Sequence, residues 1–175
     1  ANHYKKIMKR MKKEGHLVGN HSWSHKNLAR AGNSTIDSEI EKTDKIIEAL
    51  GIDNPVFFRP PYGAMSKRLV SKIEDYKKYI VLWTVDTLDW QHPSASTILR
   101  RVFNVVRPGD VILMHDIHPQ VIYTMDSLIK VMKNAGYEFV TLDEIYKLKK
   151  VEGKRLLSFR DPKNPVKSVL KLSGK

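Results

Sequence analysis

Over roughly the first 150 residues, apolar positions alternate between a helical rhythm and short continuous runs. Residues 4–14 put Ile7, Met8 and Met11 on one face and stop at Gly15, which predicts a helix. Leu17-Val18 predicts a short strand. Ile36, Ile40, Ile47 and Leu50 recur at helical spacing behind a Ser/Thr cap and ahead of Gly51, which predicts a helix over 35–50. Val56-Phe57-Phe58 reads as a strand stopped by Pro60-Pro61, and a helix is expected over 66–76. Ile80 to Val85 is a continuous apolar strand. Residues 96–106 read as a helix with Leu99, Val102, Phe103 and Val106 inward, and Pro108-Gly109 makes a turn. Val111 to Met114 reads as a buried strand. A helix is expected over 120–134, ending near Gly136, then a strand over 137–140. Thr141-Leu142-Asp143-Glu144 has the form of a capping box and opens a last helix to about residue 149. Strand and helix alternate throughout, so the expected class is α/β: a parallel sheet with helices outside it, open or closed into a barrel. Residues 1–150 are the expected domain. From 151 to 175 the chain is basic, with Gly, Pro and Ser and little periodicity, and is expected to be a tail.

A length of 175 residues suits one domain with a real core. The apolar runs are too short for a transmembrane segment. The absence of cysteine removes disulfides, thiolate zinc sites and cysteine nucleophiles. With 31 Lys and Arg against 19 Asp and Glu, the formal net charge is +12, and much of the excess lies near the two ends. Such a surface suits a polyanion, whether nucleic acid, anionic lipid or an acidic wall polymer, or is simply a solvated face. No basic stripe interleaved with aromatics is present, so nucleic acid is not an expected partner.

The candidate chemistry gathers where the apolar runs end. Leu17-Val18 leads to His21 and His25, two imidazoles four positions apart in a small polar segment. That spacing lets both rings reach one point, on a helical turn or in a tight loop, and neutral imidazole is the commonest side-chain ligand of divalent transition metals. Val56-Phe58 leads to Arg59-Pro60-Pro61-Tyr62-Gly63, where an Arg between a strand and two prolines suits holding a carboxylate in fixed geometry. Ile80-Val85 leads to Asp86-Thr87-Leu88-Asp89-Trp90. The two Asp residues are turn caps or functional carboxylates, and Trp90 is core or a platform for a sugar ring. Val111-Met114 leads to His115, where a neighbouring carboxylate would favour the protonated ring and suit it to general-acid work. His92 and His118 read as surface or loop residues, and His3 and His16 as structural. In a parallel α/β barrel the C-terminal strand ends share one rim, and that rim is the active site. Four reactive clusters at strand ends therefore argue for an enzyme.

Together these clusters resemble the polysaccharide deacetylases of the NodB-homology type, carbohydrate esterase family 4. His21-Ser22-Trp23-Ser24-His25 looks like the family's His-Ser/Thr-x-x-His metal motif, and Arg59-Pro60-Pro61-Tyr62-Gly63 like its Arg-x-Pro-x-Gly motif. Asp86-Thr87-Leu88-Asp89-Trp90 looks like its Asp-x-x-Asp-Trp motif, and Leu113-Met114-His115 like its Leu-x-His motif. Order and spacing agree over about residues 4–148. The resemblance implies a distorted (β/α) barrel and a hydrolase that removes N-acetyl groups from a GlcNAc-containing polysaccharide. His21 and His25 would hold a divalent metal, zinc before cobalt or nickel, which polarises the acetamide carbonyl. His115 would be the general acid, Asp89 would tune it, and Arg59 would orient the catalytic base. Tyr62 would offer its backbone N–H to the oxyanion. Pro61, Trp90 and Leu113 would complete the substrate contacts, Trp90 and Leu113 lining the pocket for the acetyl methyl.

One family motif, Thr-Phe-Asp-Asp-Gly, does not occur in the sequence. In the family its first Asp is the general base and its second the third metal ligand. The expectation is a chain lacking the N-terminal strands, which would leave a sheet edge open and favour self-association or pairing with an N-terminal segment. Peptidoglycan is the leading substrate, since a basic surface suits an anionic wall, and an extracytoplasmic or cell-wall location follows. Chitin or chitooligosaccharide is the nearest alternative, and a non-catalytic carbohydrate-binding relative is the alternative from another class.

Overall fold

The computed structural model describes residues 2–52, 55–146 and 156–157. In chain order the elements are helix α1 (Asn2–Lys13), helix α2 (Asn33–Glu48), strand β1 (Phe57–Phe58), helix α3 (Lys67–Asp75), strand β2 (Tyr79–Val81), strand β3 (Val85–Asp86), helix α4 (Ala95–Phe103), strand β4 (Ile112–Leu113), helix α5 (Pro119–Asn134), helix α6 (Leu142–Tyr146) and strand β5 (Leu156–Leu157). They fall into two compact units, residues up to 82 with α6 and β5, and residues 83–140.

In the first unit β1, β2 and β5 form a parallel sheet, with Phe57 opposite Tyr79 and Ile80 opposite Leu156. The amphipathic stripe of α2 supplies Ile36 and Ile40 to a core shared with Leu28, Phe58, Leu69, Val70, Ile73 and Ile80. Each such side chain, fully buried, contributes about 1.5–3 kcal/mol. Ser66 accepts the Leu69 N–H at 3.2 Å and so fixes the start of α3. The far end of α2 packs Ile47 and Leu50 with Ile52, against Met8 and Val18. Lys78 is buried, and its ammonium pairs with Asp44 at 2.9 Å and donates to the Pro55 carbonyl at 2.5 Å. A charge hidden from water is tolerated because it is both paired and hydrogen-bonded.

The second unit is built on β3 and β4, parallel, with Val85 opposite Ile112 and Asp86 opposite Leu113. Val85, Val102, Leu128 and Met132 form its core, drawn from β3, α4 and α5. Ser94 caps α4 through the Thr97 N–H, and Pro119 opens α5, where its missing N–H costs nothing.

Several expectations need correction. Leu17-Val18 forms no strand. The contact with the sheet is one parallel bridge between Asn20 and Phe58, and Leu17 is exposed. The apolar run 80–85 is two strands in two different sheets, since continuous hydrophobicity marks burial and not continuity of pairing. Residues 137–140 are irregular, with Phe139 and Val140 exposed. Phe103 is exposed at the end of α4, where Ile98 takes the inward place. On α1, Met8 packs inward while Ile7 and Met11 are exposed. Of the expected tail, Leu156-Leu157 forms β5, and the rest lies outside the described residues, as does the last helix beyond Tyr146. Among the described residues no helix is long and apolar enough to cross a membrane.

Candidate functional site

In the first unit the approach of residues 19–21 to β1 sets the position of the histidines. Asn20 donates its N–H to the Phe57 carbonyl at 2.8 Å, and its own carbonyl accepts from Arg59 N–H at 2.9 Å. Gly19 makes that approach possible: a Cβ there would lie 3.0 Å from the Phe57 oxygen. The buried Asn20 side chain donates to the Ile40 carbonyl at 2.9 Å and to Asp44 at 2.7 Å, and accepts from Ser22 N–H at 2.8 Å. Asp44 is in turn held by buried Lys78.

The loop that follows carries both histidines. Ser22 and His25 have positive φ, 67° and 56°, so the segment is a tight loop and not a helical turn. Such values cost a non-glycine residue energy, and the surrounding bonds must hold them. Glu39, buried on α2, does so: it accepts from Trp23 N–H at 3.0 Å, Ser24 N–H at 2.7 Å and Ser24 Oγ at 2.6 Å. Burial alone would raise the Glu39 carboxyl, but these bonds and Lys26 at 3.7 Å outweigh it and hold it below its ordinary value.

The result is a paired imidazole site. The His21 and His25 ring centroids are 4.9 Å apart at 78°. His21 Nδ1 lies 2.5 Å from the Arg59 carbonyl, a bond that makes Nδ1 the protonated nitrogen and Nε2 the one bearing the lone pair. His25 also meets the Tyr62 ring edge-on at 4.7 Å. Tyr62 sits at φ 60° in the turn after the buried Pro61 and is exposed, and no acceptor is recorded for its N–H among the described residues. The Arg59 guanidinium is half-buried, has no carboxylate partner among the described residues, and is pushed down from its ordinary value by that burial. Two rings so held fit two corners of a divalent metal site. Among the described residues no group of three His, Cys, Asp or Glu side chains that could hold a metal is gathered. Asp86 accepts from Leu88 N–H at 2.9 Å as a turn cap, and Asp116 is exposed.

The second unit builds a different histidine site at the ends of β3 and β4. Asp89 is fully buried. Its two oxygens take the His115 N–H at 2.6 Å and the His115 Nδ1 at 2.8 Å. Burial would raise the Asp89 carboxyl, but the His115 bonds, the His115 charge and Thr87 together hold it below its ordinary value. Thr87 bonds the Leu113 carbonyl at 2.9 Å, and Arg101 bonds the Thr87 carbonyl at 2.8 Å, tying the two strand ends. Leu113 is buried and Trp90 exposed.

The comparisons agree on one family. A family model described as polysaccharide deacetylase matches residues 1–81. The peptidoglycan-N-acetylglucosamine deacetylase PgdA of Listeria monocytogenes is 36% identical over 155 residues, covering 89% of this chain and 33% of that protein. Among solved structures, the T48 deacetylase with substrate superposes with a TM-score of 0.79 at 35% identity, over 88% of this chain and 76% of that one. The chain belongs to the polysaccharide deacetylase family. A CE4-family pseudoenzyme of Bacillus anthracis also superposes, with a TM-score of 0.77 at 28% identity, over 91% of this chain and 56% of that one. The chain spans about a third of the length of the Listeria relative, and its fold class is the NodB-type α/β fold of the solved members.

Within this family member, the sequence singles out His21, His25, Arg59, Pro61, Tyr62, Asp89, Trp90, Leu113 and His115. The structure brings His21, His25, Tyr62 and the Arg59 backbone together in one unit, and Asp89, Leu113 and His115 in the other. It also shows what that reasoning missed. Glu39, Asn20 and the Asp44–Lys78 pair position the histidine loop. A carboxylate on the apolar stripe of α2, between Ile36 and Ile40, was the available signal for Glu39.

Proposed function

We propose that this chain is part of a metal-dependent hydrolase that removes N-acetyl groups from a GlcNAc-containing polysaccharide, with peptidoglycan as the substrate and the cell wall as the place of action. The observation that carries the reading is the contrast in histidine environments. In one pair, His21 is set by a backbone carbonyl, as metal ligands are, with His25 packed against it, and in the other unit one histidine is gripped by a buried carboxylate, as a proton donor is. Peptidoglycan rests on the name of the Listeria relative and on the net charge of +12.

His21 and His25 would hold the ion, zinc by preference and cobalt or nickel by the same donor set. Bound there, such an ion supplies Lewis-acid polarisation of the acetamide carbonyl. The Tyr62 N–H is set to donate to the oxygen on which charge develops. Asp89 fixes the His115 ring through Nδ1, so that Nε2 passes a proton to the departing amine nitrogen. Arg59 orients a carboxylate base. That carboxylate and a third metal donor would come from outside the described residues. Trp90 and Leu113 bound the space for the acetyl methyl.

The test is acetate release from chitooligosaccharides and from peptidoglycan by the intact protein, before and after chelation and with zinc, cobalt or nickel added back. Release that chelation abolishes and metal restores is expected. A second reading, a non-catalytic glycan binder, is favoured by the pseudoenzyme among the relatives. It predicts glycan binding with no acetate under any metal.

A further inference from the structure

The 22–27 loop and one face of α2 form a cleft of about 300 Å³. That volume is at the lower end of the range for ligand clefts, about 300–1,000 Å³. Ser34, Ser38 and Lys42 recur at i, i+4 and i+8 along α2 and line one side, and Trp23 and Lys26 line the other. The Trp23 side chain is exposed although its backbone is tied down by Glu39. Glu39 lines the cleft too, but its oxygens already serve two N–H groups, a hydroxyl and Lys26. What remains for a ligand is an indole, hydroxyls that both donate and accept, and the Lys42 ammonium, which is exposed and has no ion pair recorded among the described residues.

This set of groups matches one ligand chemistry. An indole packs on the apolar face of a pyranose ring. Hydroxyls exchange hydrogen bonds with ring hydroxyls. An ammonium adds a charge-assisted bond to an anionic substituent. We propose that this cleft is an accessory saccharide subsite that binds a carboxylate-bearing sugar, with Trp23 against the ring, Ser34 and Ser38 on its hydroxyls and Lys42 on the carboxylate. The subsite rests on the reading above that the substrate is a polysaccharide, and it gives that protein a hold on acidic units of the polymer. The carboxylate comes from a lactyl ether, as in muramic acid, or from a uronic acid.

The test titrates the intact protein, chelated throughout, with three probes: a disaccharide containing N-acetylmuramic acid, a galacturonic acid dimer, and chitobiose. Calorimetry gives the affinity, and the indole N–H signal of Trp23 reports the place. The expected result is tighter binding of at least one acidic probe than of chitobiose, with the Trp23 signal shifting. Whichever acidic probe wins identifies the source of the carboxylate. Lys42→Glu should weaken the acidic probe about fivefold, as for a solvated charge pair, and leave chitobiose unchanged, while Lys42→Arg should retain the preference. Equal affinity for acidic and neutral probes, no binding of any probe, or an acidic preference that survives Lys42→Glu would overturn the subsite. Acetate release from chitooligosaccharides, assayed in parallel with metal present, tests the deacetylase reading separately. Release without acidic preference removes only the subsite. Acidic preference without release keeps the subsite and removes the deacetylase.

Discussion

The two units hold their histidines in opposite ways. In the first, the buried carboxylate Glu39 grips the backbone of the loop, and the His21 Nδ1 meets the Arg59 carbonyl. In the second, the buried carboxylate Asp89 grips His115 directly, ring and backbone both. A carbonyl orients a ring without asking it to carry charge, which suits a nitrogen that must stay unprotonated to bind a metal. A carboxylate orients a ring and stabilises the charge the ring acquires, which suits a group that delivers a proton. The difference teaches that the same residue type acquires its chemistry from the acceptor behind it, and that a buried acid near a histidine need not be that histidine's partner.

The comparison is broken most sharply at His115. His115→Ala should lower acetate release by about 10²–10⁴-fold, the range for a positioned general acid, with zinc content unchanged. Loss of zinc together with activity would mean that the two histidine sites do not divide the labour in this way. The next effect lies in the other unit. Glu39→Gln keeps the shape but withdraws the charge from two N–H groups and a hydroxyl. It should weaken metal affinity about 10–100-fold, as outer-shell changes do, while the proton-donating step is spared. Equilibrium dialysis against zinc reads the first, and the acid limb of the pH–rate profile the second. Metal affinity unchanged in Glu39→Gln would show that the loop holds its positive-φ residues without the carboxylate.

How much of this contrast the sequence discloses depends on the distance over which each interaction acts. The reactive residues are legible because they follow apolar runs: His115 comes two residues after Leu113, and Asp89 three after Asp86 at the end of β3. The helices are legible for a similar reason, since the period of Ile36, Ile40 and Ile47 is local. The supports are not legible, because they join residues far apart in the chain. Glu39 reaches back to Ser24, and Lys78 reaches Asp44, whose partner is Asn20. Strand pairing fails to show for the same reason. Residues 80–85 look like one strand and pair as two, and Leu17-Val18 looks like a strand and pairs only at Asn20.

A smaller effect separates the strand contact from the loop. Gly19→Ala would bring a Cβ to 3.0 Å from the Phe57 oxygen and 3.2 Å from its Cβ, contacts that force the 19–21 segment away from β1. Overpacking of this kind costs about 1–3 kcal/mol, and denaturant unfolding should show it. Because His21 moves with that segment while the Arg59 carbonyl stays with β1, the bond between them should be lost, His21 should lose orientation and zinc should bind more weakly. Full metal affinity with reduced stability would show that Glu39, and not the bridge to β1, sets the ring.

The smallest effect is in acid, and it tests whether the second unit's carboxylate is as strongly engaged as its bonds suggest. The Asp89 carboxyl in the folded protein lies below its ordinary value. Its charged form is therefore worth stability that is fully present above the unfolded value, about pH 4, and that is lost as the pH falls through the folded value. Glu39 behaves with the same sign in the first unit. The stability of the wild type should decline below about pH 4, and Asp89→Asn should be less stable at neutral pH with a shallower acid decline. His115 ring signals should move through that transition in the wild type, because protonating Asp89 removes their acceptor, whereas His21 ring signals should hold while the Arg59 carbonyl bond survives. His21 shifting in step with Asp89 would dissolve the contrast between the two sites, since its Nδ1 is held by the Arg59 carbonyl, a group that does not titrate.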